Sequence, residues 1–357
     1  MGKTKKLFLF TGIICLALTL CYGSEFSGVS NAAAAPIKLV IANWEPPQGT
    51  GSGPLKDWLK ELETKSNGRI KGGISFGAMG PPPKYYDLAV QGIAHVTLIA
   101  PPYTPGRFPM SEVMQLPVTG EMSSETFAKA YWELFKKGYF DKEFKDVKVL
   151  YLGGMCPYDL QMSKGKDIRR FSDMKGKKLR ASGALHTRII KAFGAIPVGM
   201  PAPEIPIAMQ KGTIDGQFQH LGFVKAFRTE EITRSVTKIG VSSLTFAVVM
   251  NKKVYEKMPS DIKAIIDEMG PKYSALFGKA HDKMAEASGG MLKNAGTVFY
   301  ELPATDMTEI GGIVAPLWER WISEKEAKGM PGKKIVTDLY ETFKGMGVRN
   351  PFHGYRP

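Results

Sequence analysis

Cysteine is scarce in this chain of 357 residues, which contains only three, and two of them lie near the N-terminus at Cys15 and Cys21. So few thiols exclude a disulfide-rich scaffold and a thiolate metal cluster. The five histidines are scattered, with no spacing that suits a metal site. We therefore expect neither a metal nor a cofactor.

Catalytic motifs are also absent from the sequence. There is no nucleophile elbow, phosphate-binding loop, H-E-x-x-H motif or dinucleotide-binding glycine motif. Cys156 would be a candidate nucleophile if His186 or His220 lay beside it, although a lone cysteine is more often a small buried residue. The sequence favours a protein that is not an enzyme. A periplasmic enzyme that uses Cys156 is the alternative.

Only one long hydrophobic run is present, and it lies at the N-terminus. Leu7–Leu20, about 14 residues, follows Lys3, Lys5 and Lys6 and precedes four alanines that end at Ala35. This order is typical of a secretory signal peptide, and the run is shorter than the ~20 residues that span a bilayer. We expect residues 1–35 to be a cleaved signal and the protein to be periplasmic. An uncleaved membrane anchor is the alternative.

Positive charge is in excess, with a formal net charge of +14 that becomes +12 without residues 1–35. Such a charge attracts anionic solutes, and it would equally suit an anionic membrane surface or a polyanion. The basic residues are dispersed rather than clustered, so we expect no nucleic-acid partner.

Short apolar runs alternate with helical patterns along the mature chain. In the first half, the pattern predicts strands at 37–42, 70–76, 95–99 and 147–152, separated by amphipathic helices such as the one carrying Leu55, Trp58, Leu59 and Leu62. A similar cycle begins near Met155, with strands at 158–162, 178–181, 196–200, 214–218 and 244–250. Strands that alternate with helices favour parallel sheets covered by helices. We therefore expect two α/β lobes.

Two helical segments follow these cycles. The stretch from Pro259 to about Gly289 is long and mixes polar with apolar residues, which is typical of a helix that lies across both lobes. Residues 308–347 are mostly helical in pattern, and the last ten residues look irregular.

Arg180 is the most suggestive binding residue. It ends a predicted strand, and Ser182–Gly183 lead directly into a helix. Open α/β sheets bind ligands at this edge, and a guanidinium matches a carboxylate with two parallel hydrogen bonds. A surface salt bridge is the alternative for Arg180. Trp44 and Tyr103 lie in proline-rich loops that follow two other strands, where either one would contact a ligand or pack in the core.

Several segments closely resemble one known family. They are Asp173–Gln219, Gly80–Pro83, Tyr103–Pro109, and Val249–Lys252 followed by Met258–Asp261. All are similar to the solute receptors of tripartite ATP-independent periplasmic (TRAP) transporters, in order and with similar spacing.

The resemblance implies a two-lobed periplasmic binding protein, type II-like, with hinge strands and a long helix that bridges both lobes. It implies a first lobe of residues 36–156 plus about 246–286, a second lobe of 157–245 plus about 287–320, and C-terminal helices and a tail over 321–357. Such receptors close around one organic acid and deliver it to a permease with small and large membrane subunits. We expect a monomer or a weak homodimer.

The resemblance also assigns site residues. Arg180 falls on the family arginine that binds the substrate carboxylate. Gln219, between Phe218 and His220, occupies the place of a ligand-binding asparagine and keeps the amide donor and acceptor. Some sugar-acid receptors carry a second arginine where this chain has Leu160. We therefore expect an organic monocarboxylate, aromatic or bulky, with apolar walls that include Trp44, Tyr103, Tyr158 and Phe218; a dicarboxylate is the alternative.

Overall fold

The computed structural model describes residues 35–357, so the predicted signal peptide lies outside the described residues except for Ala35. Residues Pro36–Pro357 form one compact unit. Among the described residues, none of the helices combines the length and the apolar character needed to cross a membrane.

The part of the chain that the structure describes contains eleven strands and eleven α-helices. The strands are β1 (Ile37–Asn43), β2 (Ile70–Phe76), β3 (Val96–Ile99), β4 (Val147–Met155), β5 (Asp159–Met162), β6 (Lys178–Ala181), β7 (Ile196–Gly199), β8 (Gly216–Gln219), β9 (Ser235–Lys238), β10 (Leu244–Asn251) and β11 (Val298–Glu301). The helices are α1 (Ser52–Lys65), α2 (Tyr85–Gln91), α3 (Ser124–Lys136), α4 (Ala184–Ala192), α5 (Ile205–Gln210), α6 (Phe223–Phe227), α7 (Lys252–Glu256), α8 (Ser260–Asn294), α9 (Ala304–Val314), α10 (Pro316–Glu326) and α11 (Gly332–Gly345).

The strands form two mixed sheets. The first sheet has the order β2-β1-β3-β10-β4, and the second has the order β11-β9-β5-β8-β6-β7. The pattern predicted parallel sheets, and β1 is indeed parallel to β2 and β3. That prediction is wrong for β10, which runs antiparallel between β3 and β4, and for β5, which is antiparallel to β8 and β9. The chain crosses between the sheets from β4 to β5 and returns from β9 to β10, and both crossings are too short for a helical connection.

Most predicted elements lie within a few residues of their observed bounds, but β9, β11, α6 and α7 were not predicted. Each has only four or five residues. A helix of five residues completes fewer than two turns, and a strand of four residues completes only two repeats, so the periodicity of such segments carries little signal.

Helix α8, with 35 residues, is the longest element described. It packs against β4, α1 and α3 beside the first sheet, and against α6, which lies between strands of the second. Contacts on both sides explain why its polar and apolar residues are mixed. The helix continues to Asn294, five residues beyond the predicted end.

The C-terminal segment is anchored by aromatic packing. Phe352 forms a β-bridge with Val118, and its ring stacks on Trp318 of α10 at 3.9 Å between centroids. Helix α11 packs on α3, while α9 contacts α4. The tail is irregular, as predicted, but it lies against the body of the protein.

Helices α3 and α8 approach each other most closely at Gly278. A Cβ at this position would overlap the carbonyl oxygen of Ser124 and lie 2.6 Å from the Cα of Glu125. One turn later, the Asp282 carboxylate accepts hydrogen bonds from the amides of Ser124 (2.7 Å) and Glu125 (3.0 Å) and so caps α3. Because Gly278 has no side chain, α8 can approach α3 closely enough for Asp282 to cap it.

We predict that Gly278→Ala destabilises the protein by about 1–3 kcal/mol, because the two helices must move apart. The matched control is Gly290→Ala in the same helix, where a Cβ meets nothing within 4 Å. That change should stabilise the helix by about 0.5–1 kcal/mol. Urea unfolding followed by circular dichroism measures both; equal effects of the two substitutions would contradict the close-packing explanation.

Candidate functional site

The register of the second sheet brings the predicted polar residues to one edge. Arg180 on β6 pairs with Gln217 on the parallel strand β8, and Gln219 at the end of β8 pairs with Asp159 on the antiparallel strand β5. The carboxyl ends of β6 and β8 therefore meet the start of β5, which follows Tyr158. Ligands bind at such an edge in open α/β sheets.

The Arg180 guanidinium is completely buried. Its Nε donates to the carbonyl oxygen of Met200 at 3.0 Å and its Nη2 to the Tyr103 hydroxyl at 3.1 Å, while Nη1 has no hydrogen-bond partner. No ion pair among residues 35–357 includes Arg180. The surface salt bridge considered from the sequence is therefore absent from the described structure, and the end of the guanidinium remains available to an anion.

Two further donors lie at the same edge. Gln219 is buried, with its Oε1 accepting from the amide of His220 at 3.0 Å and its Nε2 without a partner. The Tyr158 hydroxyl is buried and has no hydrogen bond of good geometry. Burial raises the pKa of Tyr158 well above its usual value, although nearby Arg180 opposes the shift. Both groups therefore present N–H or O–H donors, which suit a carboxylate.

The neighbouring histidine is uncharged. Burial, and then the charge of Arg180, lower the pKa of His186 to about 3. Its Nε2 lies 2.9 Å from the carbonyl oxygen of Ser243. Arg180 is therefore the source of positive charge at this edge.

Aromatic rings from both halves of the molecule pack beside the site: Trp44, Tyr103 and Phe246 lie in or directly after strands of the first sheet, and Phe227 lies in α6. The Trp44 ring lies 5.6 Å from the Tyr103 ring, and it is nearly parallel to Phe227 and Phe246 at 6.3 and 6.2 Å between centroids. We call these four residues the aromatic layer. Sequence reasoning identified Trp44 and Tyr103 but missed the other two, because Phe227 lies in the unpredicted α6 and Phe246 lies within an apolar strand where nothing distinguishes it.

Phe218 and His220 are placed differently from Gln219. The Phe218 side chain lies on the opposite face of β8, where its ring contacts Tyr158, His186 and Phe193 at 5.4 to 6.4 Å between centroids. His220 lies beside His281 of α8, with 6.1 Å between ring centroids, and burial lowers its pKa to about 3. The contacts of Phe218 are those of a core residue beneath α4.

Glu45 is a buried acid that sequence reasoning did not identify. It follows Trp44, and its Oε2 accepts a hydrogen bond from the amide of Gly51 at 2.8 Å while its Oε1 has no partner. Burial raises the pKa of Glu45 to about 7. The sequence signal for Glu45 was its position next to Trp44, two residues after the end of β1.

The surface also carries a groove of about 1020 Å³ beside the C-terminal tail, lined in part by Asp159, Lys238 and Arg356. It is larger than the pocket of about 330 Å³ beside Tyr103. However, the Asp159 carboxylate already accepts from the amides of Ile239 and Gly240, both at 3.0 Å. Since unpartnered buried donors converge near Arg180, we place the candidate site there.

Comparison with known proteins agrees with this geometry. The profile of the DctP family, described as bacterial extracellular solute-binding protein, family 7, matches residues 42–325. The chain belongs to this family.

Solved structures support the assignment. A TRAP solute-binding protein from Rhodoferax ferrireducens, in complex with copurified benzoate, is 29% identical with a TM-score of 0.82; the match covers 87% of this chain and 98% of that one. A marine metagenome TRAP solute-binding protein specific for aromatic acid ligands, in complex with 3-hydroxybenzoate, is 26% identical with a TM-score of 0.82, covering 87% and 99%. The ectoine-binding periplasmic protein TeaA of Halomonas elongata is 22% identical over 71% of this chain and 74% of its own.

These matches confirm the two-lobed periplasmic binding protein fold and the membership inferred from the motifs around Arg180. Proteins of this family are receptors rather than enzymes. TRAP receptors bind small molecules in the periplasm and work with TRAP permeases.

Cys156 has none of the properties of a nucleophile. Its side chain is buried, its Sγ lies 3.4 Å from the carbonyl oxygen of Met122, and burial raises its pKa well above the usual value. Among residues 35–357, no three His, Cys, Asp or Glu side chains are grouped so as to hold a metal ion.

We predict that the Cys156 thiol of the native receptor does not react with Ellman's reagent, because a buried thiol of raised pKa forms little thiolate. Labelling of the wild-type chain and of Cys156→Ser should be identical under native conditions. In denaturant the variant should show one thiol fewer. Rapid native labelling that depends on Cys156 would contradict its burial.

Proposed function

We propose that this receptor binds an organic monocarboxylate, aromatic or otherwise bulky, between its two lobes and delivers it to a TRAP permease. The observation that carries the proposal is the buried guanidinium of Arg180, which lacks an acidic partner among the described residues. A buried charge costs several kcal/mol unless it is paired and hydrogen-bonded. A ligand carboxylate would supply the missing partner.

The number of buried cations favours one carboxylate rather than two. Only two lysine or arginine side chains are buried among residues 35–357, and one of them, Lys325, pairs with Glu112 at 2.7 Å. Leu160, where some relatives carry a second arginine, is buried between β8 and β9. A second ligand carboxylate would therefore find no buried cation of its own.

The aromatic layer favours a ligand with a ring. Flat side chains such as Trp44, Phe227 and Phe246 provide large apolar contact areas for a planar molecule. The two solved structures of 26% and 29% identity hold 3-hydroxybenzoate and benzoate. Arg180 and Gln219 would bind the carboxylate while these rings enclose the rest of the ligand.

Closure of the lobes would form the complete site. The boundaries that we propose place Tyr103 and Thr50 in the first lobe, and Arg180, Ala202 and Gly222 in the second. The Tyr103 hydroxyl accepts from Arg180 and from the amide of Ala202 at 3.2 Å, and Thr50 donates to the carbonyl oxygen of Gly222 at 3.2 Å. A ligand that binds better in the closed state shifts the equilibrium towards it.

The remaining proposals concern the cell. We propose that residues 1–35 direct secretion and are removed, which leaves a periplasmic receptor that is a monomer or a weak homodimer. The closed arrangement of the lobes would be the form that the permease subunits recognise.

We predict that ligand-stripped receptor gains thermal stability with aromatic monocarboxylates, because ligands that bind only the folded state raise the melting temperature. Arg180→Ala should weaken binding by 3–5 kcal/mol, about two to four orders of magnitude, since it removes the carboxylate's partner. Arg180→Lys should also weaken binding, because an ammonium group cannot reproduce the guanidinium geometry. Isothermal titration calorimetry measures the affinities.

Arg169→Ala is the matched control, because this arginine is exposed and pairs with Asp167 outside the site; its affinity should equal that of the wild type. Unchanged affinity in Arg180→Ala would refute the site. Stabilisation only by dicarboxylates would refute the monocarboxylate assignment, and no response to any acid would refute the receptor's proposed ligand class.

We predict that Tyr103→Phe weakens ligand binding about tenfold, because the closed state loses the hydroxyl that joins Arg180 and Ala202, while the ring contact with Trp44 remains. The control is Tyr139→Phe, whose hydroxyl binds Asp338 away from the site. Titration calorimetry measures the ligand affinity of both variants. Equal affinities would show that this hydroxyl does not contribute to closure.

A further inference from the structure

Buried polar atoms without partners belong to both sheets or to the loops that follow their strands. On the second sheet they are the donors around Arg180 that would bind the carboxylate. Others belong to the first sheet or directly follow its strands: Trp44 Nε1, Glu45 Oε1 and Tyr151 Oη. A ligand with polar atoms at only one end would leave the second group unsatisfied.

Glu45 is the group in this second set whose position is best defined. Its Oε2 is held by the amide of Gly51 at the start of α1. A Cβ at Gly51 would lie 3.1 Å from that oxygen and 2.9 Å from the ring of Phe277. The Phe277 ring in turn lies 5.2 Å from Phe246, between centroids. The carboxyl group therefore lies close to the aromatic layer.

The surroundings of Glu45 shift it towards its neutral form, which a pKa of about 7 leaves about half populated at neutral pH. None of the ion pairs described within residues 35–357 includes it, and burial raises its pKa to about 7 although the amides of Gly51 and Ser52 oppose the shift. Because Oε2 accepts from the backbone, the proton of the neutral form belongs on Oε1. Glu45 then presents one free O–H donor.

Capping of α1 alone does not account for this residue. The cap requires a single carboxylate oxygen, and Oε2 provides it by accepting a hydrogen bond from the Gly51 amide. Leaving the second oxygen buried and unpartnered costs about 1–3 kcal/mol. A hydrogen-bonding group on the ligand would remove that cost.

We propose, building on the proposed receptor function, that Glu45 determines specificity at the end of the ligand opposite the carboxylate. It selects a monocarboxylate that carries an uncharged hydrogen-bonding group, such as a ring hydroxyl, and it rejects a second carboxylate. Rejection follows because two acidic groups without a cation would meet in a buried site.

The test compares wild type, Glu45→Gln and Glu45→Leu by titration calorimetry at pH 6.5. The probes are benzoate, 3- and 4-hydroxybenzoate, isophthalate and 3-(aminomethyl)benzoate. Wild type should bind one hydroxybenzoate at least about tenfold more tightly than benzoate, which is the effect of one added hydrogen bond. Glu45→Gln should keep this preference, since the amide retains a donor and an acceptor. Glu45→Leu should lose it while binding benzoate, and isophthalate should not bind wild type.

A pH series provides a second readout. It compares wild type with Glu45→Gln, whose amide oxygen can still cap α1. A bound anion raises the pKa of Glu45 further, so binding takes up a proton and wild-type affinity for benzoate should fall about threefold or more from pH 7 to 8.5. The affinity of Glu45→Gln should stay constant. Of the other titratable groups, Tyr103 and Tyr151 have pKa values that burial raises and that the charge of Glu45 raises further, and Asp57 on α1 also acts on Tyr151.

Equal binding of benzoate and both hydroxybenzoates by wild type would overturn the inference and leave the receptor function intact. So would a preference that persists in Glu45→Leu, or identical pH profiles of wild type and Glu45→Gln. Tightest binding of 3-(aminomethyl)benzoate, lost in Glu45→Gln, would show that Glu45 acts as an anion and would also overturn it. If wild type binds none of these acids, the result refutes the proposed function on which this inference rests.

Discussion

A guanidinium group buried without an acid is the constraint on which the site depends. Arg180 lies at the end of β6, where the sheet edge fixes its backbone, and Met200 and Tyr103 hold its Nε and Nη2. These neutral partners orient the group but do not balance its charge. In a low-dielectric interior an uncompensated charge is unfavourable, and the same dielectric strengthens its attraction for an anion. In the proposed mechanism, an anion bound to Arg180 would therefore favour the closed arrangement.

The contacts across the cleft give this constraint a mechanical consequence. Tyr103 approaches from the side of the first sheet and bonds to Arg180, so the residue that would bind the ligand also joins the two halves. Helix α8 packs against elements on both sides and provides a rigid support beneath the aromatic layer. Closure and ligand binding would thus share their interactions, which is the condition for a ligand to drive a conformational change.

The sequence predicted those features that depend on local pattern. The strand end at Arg180 and the helix after Ser182 indicated the sheet edge at which the structure buries a guanidinium without an acid, and the motifs around it identified the family. Strict alternation along β8 also places Phe218 on the face opposite Gln217 and Gln219, so its position beneath α4 follows from the same rule that placed the glutamines. The predicted ligand contact of Phe218 remains a prediction; in the described structure its ring packs against Tyr158 and His186.

Features that depend on distant packing were beyond prediction. Phe246 joins the aromatic layer only because β10 returns from the second half of the chain and inserts between β3 and β4. Phe227 does so through a helix of five residues. In the sequence Glu45 is an ordinary loop acid. Its burial depends on the start of α1, where the Gly51 amide donates a hydrogen bond to it. In each case the contact joins segments whose proximity cannot be predicted from local periodicity.

Surface charge and buried charge have separate roles in such a receptor. The net charge of +14 is spread along the chain, and in the mature form it would raise the local concentration of any anion and so its rate of encounter. It cannot distinguish one carboxylate from two, because exposed charges are screened beyond about 8–10 Å. Discrimination requires desolvated groups, and in the proposed site those would be the buried cation Arg180 and the buried acid Glu45. A ligand with one negative charge balances the first and leaves the second neutral, whereas a second negative charge finds no counterpart. Under these proposals, selectivity for charge would be set by two buried residues and not by the strongly basic surface around them.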